Sequence, residues 1–248
     1  MYVFFLDIDG TIFDGHRVAD EVIDAISRAR EMGHKVFINT ARAYIGMPEQ
    51  VYGLPVDGFV NSFGLEVLEG GRHIHRNFIP RQRVLEIAKY AFERGERLYF
   101  EGEIRIDINC EREGGLCPAS LPEFEQMLGE NRVCKFVLSD KPTEADVEAF
   151  SAEFDFYGIE AIAKGYGKAR GIQIVEEYYG VSREDTVAIG DTDPDIDMVK
   201  YAGIGISMGN GTPNLKACAE YVTKHFREFG VAYAIDKLLE GDLEALRK

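Results

Sequence analysis

The chain reads as an α/β protein, a parallel-sheet core interrupted by an inserted α+β unit. Three observations predict this. Apolar strand-like runs alternate with amphipathic helical stretches near the N-terminus. From about Arg81 to Lys164 the pattern becomes one of paired strands and helices. After Lys168 the first pattern resumes. A chain of 248 residues can hold one well-buried core together with a smaller domain.

Taken in order, Val3 to Leu6 is a continuous apolar strand. Val22, Ile23, Ile26, Ala29 and Met32 recur at helical spacing, and Gly33 ends that helix. Val36 to Ile38 gives the next strand and Gly58 to Asn61 a short third one. Leu65 to Leu68 and His73 to His75 flank Gly70-Gly71 as a hairpin. Such alternation favours right-handed βαβ units. In the insert, Val84 to Phe92 is a helix ended by Gly95. Leu98 to Phe100 and Ile104 to Ile108 are strands, Leu121 to Leu128 a helix, Val133 to Leu138 a strand. Thr143 to Phe154 is a helix opened by the capping pair Thr143 and Asp146. Lys168 opens an amphipathic stretch, and Thr186 to Ile189 is a further strand.

The net charge is −15 and no Lys/Arg run breaks it, which argues against nucleic-acid binding. The four cysteines, Cys110, Cys117, Cys134 and Cys218, have neither zinc-type nor disulfide-ladder spacing. They read as free thiols, although Cys110 and Cys117 could meet across Gly114-Gly115. No secretory leader pattern opens the chain, and no apolar run nears the roughly 20 residues of a membrane span. The expectation is a soluble, cytoplasmic protein with no membrane partner.

Chemistry concentrates at element boundaries. The first strand runs into Asp7-Ile8-Asp9-Gly10-Thr11, and ligands of α/β folds bind at the carboxyl ends of strands. Carboxylates there can hold a divalent cation, attack phosphorus or move a proton. Gly10 and Thr11 add a flexible turn with backbone donors suited to an oxyanion. Thr40-Ala41-Arg42 follows the second strand. Gly190-Asp191-Thr192-Asp193-Pro194-Asp195 follows the strand that ends at Ile189. Asp14 reads as a solvated loop residue. His73 and His75 read as exposed strand residues, and Asp193 and Asp197 as helix N-terminal acids.

This ordered set of acid pair, hydroxyl, lysine and acid cluster resembles the haloacid dehalogenase-like phosphatases, in particular their Cof-type branch. The likeness extends to Val60-Asn61-Ser62-Phe63-Gly64 and to Ile206-Ser207-Met208-Gly209-Asn210-Gly211. It implies a Rossmann-like catalytic core from 1–80 and 165–248, with a cap domain from 81–164 that closes over the active site. It implies an Mg²⁺-dependent phosphatase acting on small phosphate monoesters, a sugar phosphate first. Asp7 would be the nucleophile and Asp9 the general acid and base. Thr40 and Lys168 would stabilise the phosphoryl group, with Lys164 the rival lysine. The metal ligands would be Asp7, the Asp9 carbonyl and Asp191. Asp195 would hold a metal-bound water or orient the lysine, and Arg42 would touch substrate or cap, or simply pair with surface acids. Where the family often has a phosphate-binding asparagine this chain has Pro194, which lacks any donor. Asn61 or Asn210 would have to compensate. The implied partner is a small phosphorylated metabolite, the assembly a monomer or homodimer. Two alternatives stand: a phosphomannomutase-like mutase, needing a second cationic site among Arg94, Arg97, Arg105 and Arg112, and a catalytically weakened phosphate-binding protein.

Overall fold

Four apolar residues in a row form the first strand, β1 (Val3–Leu6), and all are fully buried. Burial on both faces requires a layer on each side, as in an α/β sandwich. The computed structural model describes residues 1–110 and 114–247; Arg112 lies outside them. After β1 come α1 (Asp20–Glu31), β2 (Lys35–Asn39), the short α2 (Glu49–Tyr52), β3 (Gly58–Asn61), β4 (Glu66–Glu69) and β5 (Arg72–Arg76). The middle of the chain forms α3 (Arg81–Arg94), β6 (Leu98–Gly102), β7 (Arg105–Ile108), α4 (Leu121–Leu128), β8 (Val133–Leu138), α5 (Glu144–Phe150), β9 (Phe154–Tyr157) and β10 (Glu160–Ala163). The last part forms α6 (Lys168–Tyr179), β11 (Thr186–Gly190), α7 (Ile196–Tyr201), β12 (Ile204–Ser207), α8 (Pro213–Cys218), β13 (Tyr221–Val222) and α9 (Gly230–Glu240).

These elements form two compact units. One comprises Met1–Arg42, Met47–His75 and the chain from Gly167 onward; the other comprises Ala43–Gly46 and Arg76–Tyr166. The first unit holds one sheet in the order β13-β12-β11-β1-β2-β3-β4-β5. Its strands are parallel from β13 to β3, and β4 turns antiparallel to β3. Alternate residues of β1 serve opposite cores. Phe4 and Leu6 pack with α1 and α9, while Val3 and Phe5 pack with α6 and α7. Succession runs outward from β1 through β2 and β3 on one side, and from β11 through β12 and β13 on the other. The carboxyl ends of β1 and β11 therefore flank the point where strand order reverses, where such sheets bind ligands.

The second unit is an antiparallel sheet in the order β7-β6-β8-β10-β9, with α3, α4 and α5 contributing to its core around Phe100, Phe124, Phe136 and Phe150. The capping box at Thr143 and Asp146 forms as expected. The helix it opens is shorter than expected, ending at Phe150. Phe154 to Tyr157 is strand β9, paired with β10 across a turn at Gly158, where φ is +65°. The aromatics Phe154 and Phe156 have the two-residue period of a strand, which overrides helical continuation.

One polar junction stitches β2 to the loop before β3. The half-buried Asp57 carboxylate accepts from the Val36 N–H at 2.9 Å, from Lys35 Nζ at 2.9 Å and from Arg30 Nε at 3.0 Å. Burial pushes its pKa up, but the Val36 N–H, Arg30 and Lys35 together outweigh that and hold it below the ordinary 3.8. A depressed carboxyl contributes stability that is fully present above the unfolded value and is lost as pH falls through the folded one. Asp57→Ala should cost about 2 kcal/mol at pH 7, from lost charge-assisted hydrogen bonds. Urea titrations of both proteins at pH 7 and pH 3 check this: the gap should shrink at pH 3. A gap that is equal at both would remove Asp57 as its source.

Candidate active site

The chain leaves β1 at Leu6, so Asp7 sits just beyond the sheet, buried at 5% exposure, with its N–H bonded to the Ile189 carbonyl of β11. Beyond it a tight turn forms, in which the Ile8 carbonyl accepts the N–H groups of Thr11, Ile12 and Phe13. Gly10 adopts φ +79°, and a Cβ there would lie 2.3 Å from Asp191 Oδ2. Glycine is required twice over at this position, for conformation and for space. Gly10 and Thr11 do not offer their amides to an anion, contrary to expectation. The N–H of Gly10 is taken by the Phe13 carbonyl and that of Thr11 by the Ile8 carbonyl. Thr11 instead donates its hydroxyl to Asp191 Oδ1 at 3.0 Å.

Lys168 is the first residue of α6 and is only 2% exposed. Its Nζ donates to Asp7 Oδ1 at 2.6 Å and also to Asp195 Oδ1. Asp195 is fully buried, and its Oδ2 accepts from the N–H groups of Asp191 and Thr192, both at 2.9 Å. Asp195 thus joins Lys168 to the backbone at the end of β11. Burial alone would push the lysine pKa down, but Asp195 and Asp7 outweigh it and push it up. Lys164, the rival, belongs to the second unit, where it donates to the Ser151 carbonyl at 3.0 Å.

Two residues that sequence reasoning gave other roles or overlooked hold α6 in place. The Asp197 carboxylate accepts the Ala169 N–H at 3.1 Å, so it caps α6 as well as its own helix. Asn39, at the end of β2, donates to the Lys168 carbonyl at 3.0 Å. Neither link has a sequence signature, because each joins segments far apart in the chain.

Thr40 follows β2 and is buried. Its Oγ1 accepts the Arg42 N–H at 3.1 Å, which leaves the hydroxyl proton to donate. Arg42 forms a two-point fork with Asp9, Nε to Oδ2 at 2.7 Å and Nη2 to Oδ1 at 2.8 Å. Asp9 differs from Asp7 in being about half exposed. Asn61, at the end of β3, is fully buried, and neither its amide oxygen nor its amide nitrogen has a hydrogen-bond partner among the described residues. Asn210 is unsuited to a phosphate contact. Its Nδ2 donates to the Gly10 carbonyl at 2.8 Å, and its Oδ1 accepts the Phe226 N–H at 2.8 Å. Asp193 accepts from Thr212 and Asn214, tying its segment to α8.

One carboxylate oxygen from each of Asp7, Asp191 and Asp195 lies within 4.8 Å of the others, the one such group among the described residues. Three buried carboxylates face a single ammonium. Burial, then Asp195, push Asp7 up to about 7, and burial and Asp195 push Asp191 up to about 6. This excess of negative charge and all-oxygen donor set fit a hard divalent cation. The oxygens of Asp195 are committed to Lys168 and to N–H groups. Asp7, Asp191 and the Asp9 carbonyl, which accepts no hydrogen bond from the described residues, are the donors left.

Residues 4–235 match the family of haloacid dehalogenase-like hydrolases. The chain belongs to that family. Within these hydrolases it falls in the Cof-type branch, and it is a phosphatase. It is similar to YkrA of Bacillus subtilis, 29% identical over 247 residues that cover 94% of this chain and 96% of the relative. It is also similar to the 5-amino-6-(5-phospho-D-ribitylamino)uracil phosphatase YitU of the same organism, at 24% over 264 residues, 93% of this chain and 95% of the relative. Among solved structures, a phosphatase of the haloalkanoate superfamily from Bacteroides thetaiotaomicron superposes with a TM-score of 0.81 at 25% identity, covering 95% of this chain and 94% of that one. No helix among the described residues is long and apolar enough to cross a membrane.

A cation held by Asp7 and Asp191 must compete with their protons. Because both carboxyls are raised, they are protonated below about pH 6 and free to ligate above about pH 7. Magnesium should therefore raise the thermal midpoint more at pH 8 than at pH 5.5. Equal shifts at the two pH values in differential scanning fluorimetry would sink this account.

Proposed function

We propose that the protein is a magnesium-dependent phosphatase that cleaves small phosphate monoesters, sugar phosphates first, through an aspartyl-phosphate on Asp7. The observation that carries this reading is the Asp7–Lys168–Asp195 clamp beside Asp191, at the reversal point of the sheet. A buried carboxylate beside a fixed ammonium suits attack on a phosphoryl group, whose negative charge the ammonium offsets.

In the first step an Asp7 oxygen bonds to phosphorus and the bond to the leaving oxygen breaks. Asp9 supplies the proton that the leaving oxygen takes. In the second step water attacks phosphorus, Asp9 receives its proton, and inorganic phosphate departs with Asp7 restored. The Thr40 hydroxyl and Lys168 Nζ meet the phosphoryl oxygens. A magnesium ion, held by Asp7, the Asp9 carbonyl and Asp191, would offset the repulsion between these carboxylates and a phosphate dianion. In this reading the first unit is the catalytic core, the second unit is the cap domain, and the substrate is a phosphorylated metabolite of the cytoplasm.

The charges of the second unit disfavour the mutase alternative. A mutase needs a second cationic phosphate site, but Arg97 pairs with Asp140 and Arg105 with Glu101 and Asp107, Arg94 lies over the Tyr90 ring, and Arg112 is outside the described residues.

Asp7→Asn should abolish turnover with the fold intact. Retention of more than a few per cent of kcat would exclude the covalent route. Chelation with EDTA should abolish wild-type activity, and magnesium should restore it. Pro194 leaves the phosphoryl group one donor short, and Asn210 is committed to the turn. Pro194→Asn should then raise kcat/KM roughly tenfold, the worth of one hydrogen bond to a charged group. An unchanged kcat/KM in a folded variant would point to Asn61 as the group that already fills the position.

A further inference from the structure

We propose that a groove in the first unit, beside Asp9, receives the leaving group, and that Arg227 and His225 select leaving groups bearing an anionic substituent. The proposal rests on the phosphatase reading, in which Asp9 protonates the leaving oxygen and must therefore touch it. Asp9 lines a groove of about 650 Å³ together with Phe13, Asp14, His225, Phe226 and Arg227. That volume suits a small metabolite. Asp7, Lys168 and Asp195 are packed against one another and buried, whereas the Asp9 side chain is half exposed and lines the groove, where it can meet a leaving group.

Two donors that line the groove with Asp9 are unused. Arg28, Arg30, Arg42, Arg105 and Arg132 are each engaged with carboxylates. The Arg227 guanidinium, in contrast, makes no hydrogen bond or ion pair with any described residue. His225 accepts the Arg227 N–H on Nδ1 at 3.0 Å, which places the ring proton of the neutral form on Nε2, where it has no partner among the described residues. Of the two carboxylates of the groove, that of Asp9 is paired with a cation, while that of Asp14 bonds, among the described residues, through Oδ1 alone and leaves Oδ2 open. Asp9 is held by the Arg42 fork, and Asp14 accepts the N–H groups of His16 and Arg17 at 2.7 and 2.8 Å. The groove thus offers a guanidinium and an imidazole N–H, with Phe13 and Phe226 as apolar sides. A guanidinium matches a carboxylate or a second phosphate by a two-point fork.

The donor wall is also fixed to the catalytic turn. Asn210 bonds to the Gly10 carbonyl with its nitrogen and to the Phe226 N–H with its oxygen, each at 2.8 Å. One side chain therefore sets the distance between the Asp9–Gly10 turn and the segment that carries His225 and Arg227.

The test is a ratio measured within each protein. Wild type and Arg227→Ala are assayed on matched pairs, 6-phosphogluconate against glucose 6-phosphate and fructose 1,6-bisphosphate against fructose 6-phosphate, with phenyl phosphate as reference. In the wild type, kcat/KM should be higher for the anionic member of at least one pair. In Arg227→Ala that preference should fall roughly tenfold, and Arg227→Lys should restore part of it. Arg227 is exposed, so the thermal midpoint should not move. Hydrolysis with no anionic preference, or a preference that survives Arg227→Ala, overturns the assignment of the groove. Failure of the wild type on every monoester, phenyl phosphate included, overturns the phosphatase reading and this inference with it.

Discussion

Everything in the first unit converges on one buried ammonium. Lys168 lies between Asp7 and Asp195 with almost no access to water. Taking charges out of water costs several kcal/mol per ion, and good geometry is needed to offset that. The surroundings supply it. Asp195 is held by two backbone N–H groups, α6 is capped by Asp197, and Asn39 grips the Lys168 carbonyl. Gly171 lets α6 approach β3 so closely that a Cβ there would lie 2.1 Å from Val60 Cγ1. A helix placed an ångström further out would break the clamp, and with it the arrangement of Asp7.

A second constraint sits beside the first. Ser62, Phe63 and Gly64 occupy the left-handed region in succession, with φ of 49°, 57° and 83°. Two of the three carry side chains that disfavour it, at a cost of order 1–3 kcal/mol each. The contorted segment returns two hydrogen bonds to the loop after β2, from the Ser62 N–H to the Arg42 carbonyl and from the Phe63 N–H to the Thr40 carbonyl. Strain in one loop thereby fixes the hydroxyl and guanidinium carried by the next. The same economy appears at Gly10, where one residue both turns the chain and leaves room for Asp191.

Much of this was legible because the chemistry sits at element boundaries. Apolar runs ending at Leu6, Asn39 and Gly190 announce strands, and the polar residues that follow them mark the carboxyl edge of the sheet. Family resemblance then assigned Asp7, Thr40, Lys168 and Asp191 to one site, and the fold brings them to one edge of the first unit. What could not be read were links between distant segments. Asp197 looked like a cap for its own helix, Asn210 like a phosphate contact, and the amides of Gly10 and Thr11 like free donors. Asp197 and Asn210 find their partners only when the sheet assembles, whereas the two amides are closed within the turn itself, by the Phe13 and Ile8 carbonyls. The strand at Phe154 was misread as helix for a local reason, since a good N-cap at Thr143 says where a helix starts and nothing about where it stops. The short strands β12 and β13 carried too little periodicity to stand out.

The order of the sheet also has a consequence for biosynthesis. β1 leaves the ribosome well before β11, yet the two are neighbours at the centre of the sheet, and Val3 finds its partner in Thr186 of β11. Until β11 has been made, one edge of this wholly apolar strand has nothing to pair with. Its hydrogen-bonding groups and the Val3-Phe4-Phe5-Leu6 side chains must be sheltered meanwhile by β2, by α1 or by a chaperone. The intervening antiparallel unit, with its own core around Phe100 and Phe136, has time to form during that wait. Half of the site is thus present early in synthesis and chemically silent. Lys168, Asp191 and Asp195 arrive late, and their emergence completes the central sheet and the catalytic cluster together.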